Sequence, residues 1–180
     1  MVVIITGATH TGKTRLAQLM MEKYRWPYVS EDHLKMGLIR SGYTDLTPYD
    51  DCEMTEYLWP VVREMIKTVI ENRQNLIVEG CYIPFDWQDD FTEEYLRAIR
   101  FVCLCFSDDY IDRHFEDIKR NASCIESRLD DCDCTKEMLK RENRFYYEGC
   151  KRRGLELFMI ENDYIESINA SCSAVFGNLK

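Results

Sequence analysis

The segment Val2-Val3-Ile4-Ile5-Thr6 leads directly into Gly7-Ala8-Thr9-His10-Thr11-Gly12-Lys13-Thr14. The first segment is β-branched and apolar, which is typical of a buried strand. The second fits the pattern G-x-x-x-x-G-K-[ST], and a helical pattern follows it with Leu16, Leu19 and Met20 on one face. A strand, a glycine loop and a helix in this order form the context in which the pattern binds phosphate. The sequence therefore predicts a phosphate-binding loop between a strand and a helix.

The residue types in this loop each have a chemical purpose. Gly7 and Gly12 let backbone N–H groups approach phosphate oxygens with no Cβ in the way. The helix that begins near Lys13 directs its positive end at the same anion. The Lys13 ammonium reaches the β- and γ-phosphates, where we expect it to be catalytic, and the Thr14 hydroxyl ligates Mg²⁺. The expected nucleotide-binding residues of the loop are Gly7, Thr9, His10, Thr11, Gly12, Lys13 and Thr14.

Composition predicts one globular domain over residues 1–180. The chain is 46% hydrophobic and 31% charged, with a formal net charge of −9. Such an acidic chain repels nucleic acid and anionic membranes, so neither is an expected partner. The sequence shows neither a secretory signal nor an apolar run of the roughly 20 residues that span a bilayer. Its nine cysteines are an odd number, and we expect reduced thiols in the cytoplasm.

Strand-like and helix-like patterns alternate along the chain. Strands are predicted near residues 2–6, 27–30, 75–80, 100–106 and 155–160. The longest helical pattern extends from Met54 to Ile70 and contains Pro60, where we expect a kink or a break. Five strands that alternate with helices predict a parallel sheet with helices on both faces. Ligands of such sheets bind beyond the carboxyl ends of the strands.

The order of elements and three stretches resemble the P-loop kinases of the adenylate kinase type, which include small-metabolite kinases. The resemblance implies a three-layer P-loop NTPase sandwich of the α/β class, with a five-stranded parallel sheet and a small lid. The glycine loop is the first stretch. The second is Ser30-Glu31-Asp32-His33-Leu34-Lys35. By this resemblance Asp32 faces the reacting centre and Lys35 binds a phosphate of the acceptor; the alternative interpretation is a capped surface helix with a solvated lysine.

The third stretch resembles the lid of these kinases. Arg113 and Arg120 precede a polar insert, Arg128-Leu129-Asp130-Asp131 follows it, and Arg141 and Arg144 lie one turn apart on the next helical pattern. The lid is expected over about residues 120–135. The resemblance implies that this lid orders when nucleotide binds, that Arg120 contacts the nucleotide and that Arg128, Arg141 and Arg144 stabilise the transferring phosphoryl group. The alternative interpretation is a pair of charged helices with solvated arginines, which we expect for at least half of them.

The chain departs from the family after the third strand. Nucleoside-monophosphate kinases have Asp-Gly-x-Pro-Arg there, whereas this chain has Glu79-Gly80-Cys81-Tyr82-Ile83-Pro84 and no arginine. The missing arginine predicts that AMP is a poor acceptor. Tyr82, Phe85 and Trp87 either line an acceptor pocket or pack in the core. The expected magnesium residues are Thr14, Asp32 and Glu79, and the expected acceptor-binding residues are Asp32, Lys35 and Glu79.

The expected function is transfer of the γ-phosphoryl group of ATP to a small metabolite, with Mg²⁺ as cofactor. If the acceptor is an alcohol, Asp32 is the candidate base; if it is a phosphate, Lys35 matters more. The competing hypothesis is an ATP-binding regulatory module without an acceptor. A guanine-nucleotide switch is disfavoured because the sequence lacks an Asn-Lys-x-Asp motif. The lid cysteines Cys124, Cys132 and Cys134 lack the C-x-x-C pairs of a zinc site.

Overall fold

The computed structural model of the protein describes residues 1–121 and 134–177, and a five-stranded parallel sheet forms its centre. Every strand pair is parallel, and the order across the sheet is β2-β3-β1-β4-β5. The predicted strands are therefore confirmed. Their bounds are β1 Val2–Gly7, β2 Tyr28–Ser30, β3 Leu76–Glu79, β4 Ile99–Phe106 and β5 Leu157–Ile160.

Helices connect the strands and cover both faces of the sheet. They are α1 Lys13–Tyr24, α2 Glu31–Arg40, α3 Asp51–Glu71, α4 Glu93–Arg97, α5 Asp108–Asn121, α6 Lys136–Arg153 and α7 Tyr164–Phe176, with a short 3₁₀ helix at Trp87–Asp90. None of the helices in the described ranges is both long and apolar enough to cross a membrane.

Alternate residues of β1 belong to two separate apolar cores. Val3 and Ile5 pack on one face of the sheet in a core that contains Leu16 of α1 and Ile168 of α7. Val2, Ile4 and their neighbours pack on the other face with residues of α3 and the end of α6, among them Val62, Ile66 and Cys150. All four β1 side chains are fully buried, as expected for the central strand of a sheet covered on both faces. This arrangement is the predicted three-layer sandwich.

The register of the sheet brings the carboxyl ends of three strands together. In β1 Ile5 is opposite Glu79 of β3, and Glu79 is opposite Ser30 of β2. The glycine loop after β1 therefore begins beside the last residue of β3 and near the first turn of α2. Parallel pairing, rather than nearness in sequence, creates the surface on which the candidate site is built.

Pro60 does not break α3, which is a single helix from Asp51 to Glu71. The expected break is therefore wrong, and the kink that was its alternative stays a prediction. A proline deprives the carbonyl four residues earlier of its hydrogen bond, and that residue, Glu56, is exposed at the surface, where water can replace the bond. The buried side chains Met54, Leu58 and Val62 hold both halves of the helix against the core. The non-helical backbone lies instead in α5 at His114.

Two glycines provide a matched test of backbone geometry. Gly7 has φ +138°, and a Cβ there would overlap the backbone carbonyl of Leu104, whereas a Cβ at Gly37 in α2 would meet no atom within 4 Å. We expect Gly7→Ala to lower the free energy of unfolding by about 2 kcal/mol or more. Gly37→Ala should raise it by roughly 0.5–1 kcal/mol, because alanine favours the helix. Urea unfolding measures both, and equal effects would contradict this account of Gly7.

Candidate active site

The glycine loop has the strand–loop–helix geometry that its sequence predicts. Gly7, His10 and Gly12 have positive φ values of 138°, 65° and 91°, so the backbone turns sharply between β1 and α1. The hydroxyl of Thr11 donates a hydrogen bond of 2.7 Å to the carbonyl of Ala8 and fixes the turn from inside. The loop is thus shaped by its own backbone and side-chain contacts before any ligand binds.

The ammonium group of Lys13 lies at the mouth of the loop. Its Nζ donates hydrogen bonds of 3.1 Å to the Gly7 carbonyl and 3.0 Å to the Ala8 carbonyl. A cation held on the loop backbone, at the first residue of α1, is the arrangement in which an anion bound by the loop meets both a charge and a helix N-terminus. The structure therefore places Lys13 where the sequence predicts.

Thr14 and Glu79 meet beside the loop. The Thr14 hydroxyl donates to Glu79 Oε2 at 3.3 Å, and Glu79 is only 2% exposed. A hydroxyl and a buried carboxylate are hard oxygen donors of the kind that Mg²⁺ prefers, and they adjoin the Lys13 ammonium. These two residues fit the expected metal, and the pairing of β3 with β1 explains why they come together although 65 residues separate them.

Lys35 is bound by neighbouring side chains and is mostly covered. Its Nζ lies 2.8 Å from Asp32 Oδ1 and donates to the Tyr82 hydroxyl at 2.7 Å. The Tyr82 hydroxyl donates in turn to Asp51 Oδ1 at 3.1 Å. The Lys35 side chain is 12% exposed and that of Asp32 is 44% exposed. The alternative of a solvated lysine on a surface helix therefore does not describe Lys35.

The predicted aromatic cluster divides between the site and the core. Tyr82 joins the network of Lys35, so it belongs to the site. Phe85 packs edge-on against Phe145 with ring centroids 5.2 Å apart. Trp87 stacks on Phe101 at 5.6 Å and is buried. Tyr82 also packs in a buried core with Met54 and Leu58, so all three rings are packing residues, and a pocket lined by them stays a prediction.

Glu31 is a buried acid that the sequence reasoning missed. Its side chain is fully buried, Oε2 accepts a hydrogen bond of 2.8 Å from the Tyr82 backbone N–H, and a Cβ at Gly80 would overlap it. Burial raises the pKa of Glu31 to about 8; the Tyr82 N–H opposes this rise and the nearby Glu79 adds to it. The strand register could have indicated that Glu31 is buried here. Ser30 is opposite Glu79, so the residues that follow them, Glu31 and Gly80, lie close together.

Glu142 of helix α6 is another unexpected carboxylate, and it lies against the glycine loop. Glu142 Oε1 accepts a hydrogen bond of 2.8 Å from the backbone N–H of Thr9. The adjacent Asn143 is buried and accepts a 2.6 Å bond from the Phe106 backbone N–H, which anchors α6 to the end of β4. A loop amide that the sequence assigns to a phosphate therefore binds a side-chain anion in this structure.

The arginines of the lid region are only partly described. Arg144 forms an ion pair of 3.3 Å with Asp108, and Arg120 forms one of 3.1 Å with Asp117. Their side chains are 64% and 73% exposed, so these pairs agree with the interpretation of solvated helix faces. Arg141 is also exposed on α6. Arg128 and most of the lid lie outside the described residues, and the roles of all four arginines stay predictions.

No family profile and no curated protein matches this sequence. Solved structures do match it in fold. A gluconokinase from Sinorhizobium meliloti 1021 has 14% identity and a TM-score of 0.53, over 99% of this chain and 94% of that one. A deoxyadenosine kinase from M. mycoides has 15% identity and a TM-score of 0.57, over 99% and 98%. A shikimate kinase from Bacteroides thetaiotaomicron has 16% identity and a TM-score of 0.53, over 99% and 98%.

The chain has the P-loop kinase fold. The predicted fold class is therefore confirmed by the sheet order, by the loop geometry and by these similar structures. At 14–16% identity the similarity concerns the fold, so the chemistry must be argued from the residues of this P-loop kinase fold. Among the residues that the structure describes, no group of three or more His, Cys, Asp or Glu side chains could hold a metal ion. Magnesium would therefore need the substrate and water as further ligands.

The buried carboxyl of Glu31 makes stability depend on pH. Its folded-state pKa of about 8 exceeds the ordinary value of 4.5, so folding takes up a proton between these values. The contribution of Glu31 to stability is then greatest below pH 4.5 and decreases as pH rises towards 8. In metal-free buffer we expect Glu31→Gln to gain stability relative to the wild type as pH rises, by up to roughly 4 kcal/mol.

Urea unfolding at several pH values measures this dependence on Glu31. The exposed Glu53 provides a matched control, because Glu53→Gln should differ from the wild type by the same small amount at every pH. A Glu31→Gln difference that does not change with pH would contradict a buried, protonated Glu31.

The contact between Glu142 and Thr9 predicts competition between this carboxylate and a bound phosphate. A charged carboxylate accepts a hydrogen bond about twice as strong as that of a neutral amide oxygen. Glu142→Gln should therefore release the Thr9 N–H more readily. We expect the variant to bind ADP-Mg about three- to tenfold more tightly than the wild type in calorimetry. Glu148→Gln, on the exposed side of the same helix, should leave the affinity unchanged. Weaker binding by Glu142→Gln would show that Glu142 supports nucleotide binding instead.

Proposed function

We propose that this protein transfers the γ-phosphoryl group of ATP to a small-molecule acceptor. One observation carries the proposal: Lys13 lies on the loop carbonyls while Thr14 meets the buried Glu79 beside them. This combination supplies a phosphate cradle, a cation and oxygen ligands for Mg²⁺ where α1 begins and β3 ends. A glycine turn that merely joins a strand to a helix requires none of these features.

The donor half of the site acts by binding and neutralising the triphosphate. Backbone N–H groups of the loop and the N-terminus of α1 bind phosphate oxygens, and Lys13 neutralises the charge that passes to the leaving ADP. Thr14 and Glu79 would hold Mg²⁺, which when bound neutralises the β- and γ-phosphate oxygens. The two protein groups thereby fix the position of the γ-phosphoryl group relative to α2.

The acceptor half lies between α2 and the segment after β3. Asp32 is the exposed carboxylate on this side, and Lys35 and Tyr82 lie behind it. Asp32 accepts the proton of an attacking hydroxyl group when the acceptor is an alcohol. The similar structures include kinases named for gluconate, deoxyadenosine and shikimate, so their names favour small acceptors without choosing one. We assign the lid arginines to the transferring phosphoryl group, as the resemblance implies.

We also propose that the protein works in the reducing cytoplasm and that its partners are small molecules. Six cysteines of the described ranges are free thiols: Cys52, Cys81, Cys103, Cys105, Cys150 and Cys172. Four of them are buried. With a net charge of −9 the chain repels nucleic acid and anionic membranes, so we propose neither as a partner.

Lys13→Ala tests the proposal. We expect it to reduce phosphoryl transfer at least about 100- to 1000-fold, because it removes charge stabilisation in the transition state. The fold should persist, since Lys13 contacts only loop carbonyls and leaves no core cavity. The measurement is ADP release from ATP-Mg with a panel of sugars, nucleosides and phosphorylated metabolites, which also separates a kinase from a module that binds ATP without an acceptor.

Lys23→Ala is the matched control, because Lys23 is exposed in the last turn of the same helix. Circular dichroism and urea unfolding establish that both variants are folded. Near-wild-type turnover by folded Lys13→Ala would refute the assignment of the loop. ATP binding without acceptor-dependent ADP release from any compound would favour the regulatory module.

A further inference from the structure

The acceptor side of the site presents a carboxylate to solvent, and its lysine lies behind that carboxylate. The Asp32 side chain is 44% exposed and the Lys35 side chain only 12% exposed. The Lys35 ammonium lies 2.8 Å from Asp32 Oδ1, so its charge is already neutralised. A molecule that enters from solvent therefore meets the acid first.

The second partner of Lys35 leads to another carboxylate. The Tyr82 hydroxyl accepts from Lys35 at 2.7 Å and donates to Asp51 Oδ1 at 3.1 Å. Tyr82 is 2% exposed, whereas Asp51 is exposed, so this chain of contacts passes through a buried tyrosine and ends at a carboxylate on the surface. The ionised groups Asp32, Lys35 and Asp51 together carry one net negative charge. A network of this sign opposes an incoming phosphate or carboxylate.

The same network fixes the position of Asp32. A carboxylate on the first turn of a helix has several rotamers, and the ion pair with Lys35 selects one of them. Lys35 is itself held by Tyr82, whose backbone N–H donates to the fully buried Glu31. The free oxygen of an oriented carboxylate is suited to accept a hydrogen bond from an alcohol. It is poorly suited to contact an anion.

We propose that the acceptor is an uncharged hydroxyl compound, such as a neutral sugar, a polyol or a nucleoside, and that its hydroxyl group binds to Asp32. Lys35, Tyr82 and Asp51 are positioning residues for Asp32. This inference rests on the proposed function and narrows the acceptor, for which the sequence left both a phosphate and an alcohol open.

The reaction step balances with the groups present in the two substrates and the protein. Asp32 accepts the proton of the acceptor hydroxyl, and the hydroxyl oxygen forms a bond to the γ-phosphorus. The bond between the γ-phosphorus and the bridging oxygen breaks, and ADP leaves with its electron pair. The acceptor becomes a phosphate monoester, and Asp32 later returns its proton to solvent.

The first experiment needs no knowledge of the acceptor. The protein is saturated with ADP-Mg so that the glycine loop is occupied, and inorganic phosphate is titrated into it by calorimetry. We expect Asp32→Asn to bind phosphate at least about tenfold more tightly than the wild type, because it removes the repelling charge and frees Lys35. Adding Lys35→Met to Asp32→Asn should abolish this gain. Equal phosphate affinity in the wild type and Asp32→Asn would overturn the proposal.

The second experiment compares acceptors that differ in charge. ADP release is measured with glucose, gluconate and glucose 6-phosphate, and with adenosine and AMP. The uncharged member of a set should turn over at least about tenfold faster than its charged counterparts. Preference for the phosphorylated or carboxylated member would overturn the proposal.

The role of Tyr82 is tested separately on the best acceptor. Tyr82→Phe should lower kcat and leave the affinity for ADP-Mg unchanged, because it loosens Asp32 without reaching the glycine loop. Tyr95→Phe is the matched control, since the Tyr95 hydroxyl also donates to a carboxylate, Glu71, but on the surface. A proportional loss of activity and ADP-Mg affinity in Tyr82→Phe would indicate a general structural role and overturn the assignment.

Binding of ADP-Mg to the wild type, measured first, reports on the proposed function alone. Its absence would refute that function, and the phosphate titration would then be carried out on Lys13→Ala variants, which lack the cation of the loop. In that case the phosphate affinities of Lys13→Ala with and without Asp32→Asn still decide whether the acceptor side repels an anion. The proposed function and the proposed acceptor class would therefore be refuted by different results.

Discussion

The parallel pairing of β3 with β1 is the constraint on which the site depends. It sets Glu79 opposite Ile5, two residues before Gly7, so the buried carboxylate reaches the Thr14 hydroxyl at 3.3 Å. The pairing of β2 with β3 then sets Ser30 opposite Glu79 and brings the first turn of α2 to the same place. The donor and acceptor halves are thus fixed by one hydrogen-bonded register. A slip of one residue would turn Glu79 to the other face of the sheet.

Two acidic side chains lie close together where these strand ends meet. Glu31 and Glu79 are both buried, and the charge of Glu79 contributes to raising the pKa of Glu31. Lys13 is the nearby cation that opposes this effect. Two buried acids with one lysine cost stability unless one of them keeps its proton. A divalent cation at Thr14 and Glu79, as proposed, would offset the same repulsion.

The sequence predicted the elements well because their signals are local. β-branched runs marked the strands, the glycine spacing marked the loop with Lys13 and Thr14, and Glu79 was predicted from its position at the end of the third strand. It could not reveal that Lys35 is neutralised by Asp32 and Tyr82, because that depends on how the segment after β3 packs on α2. Glu31 and Glu142 were missed for the same reason: each lies on a helix among other charged residues, and only tertiary contact distinguishes it. The break expected at Pro60 failed because tertiary packing and an exposed carbonyl outweighed a local signal.

Helix α6 links the parts of the site that the sheet register does not join. Three of its residues, within five positions, bind backbone groups from three segments. Glu142 accepts from Thr9 of the loop, Asn143 accepts from Phe106 at the end of β4, and Tyr146 donates to the Cys81 carbonyl after β3. Asn143 and Tyr146 are buried, so they fix the helix to the sheet and to the acceptor segment. Glu142 is the one of the three that a phosphate can replace. The predicted binding of nucleotide would therefore exchange one of the three contacts and leave the helix attached to the sheet.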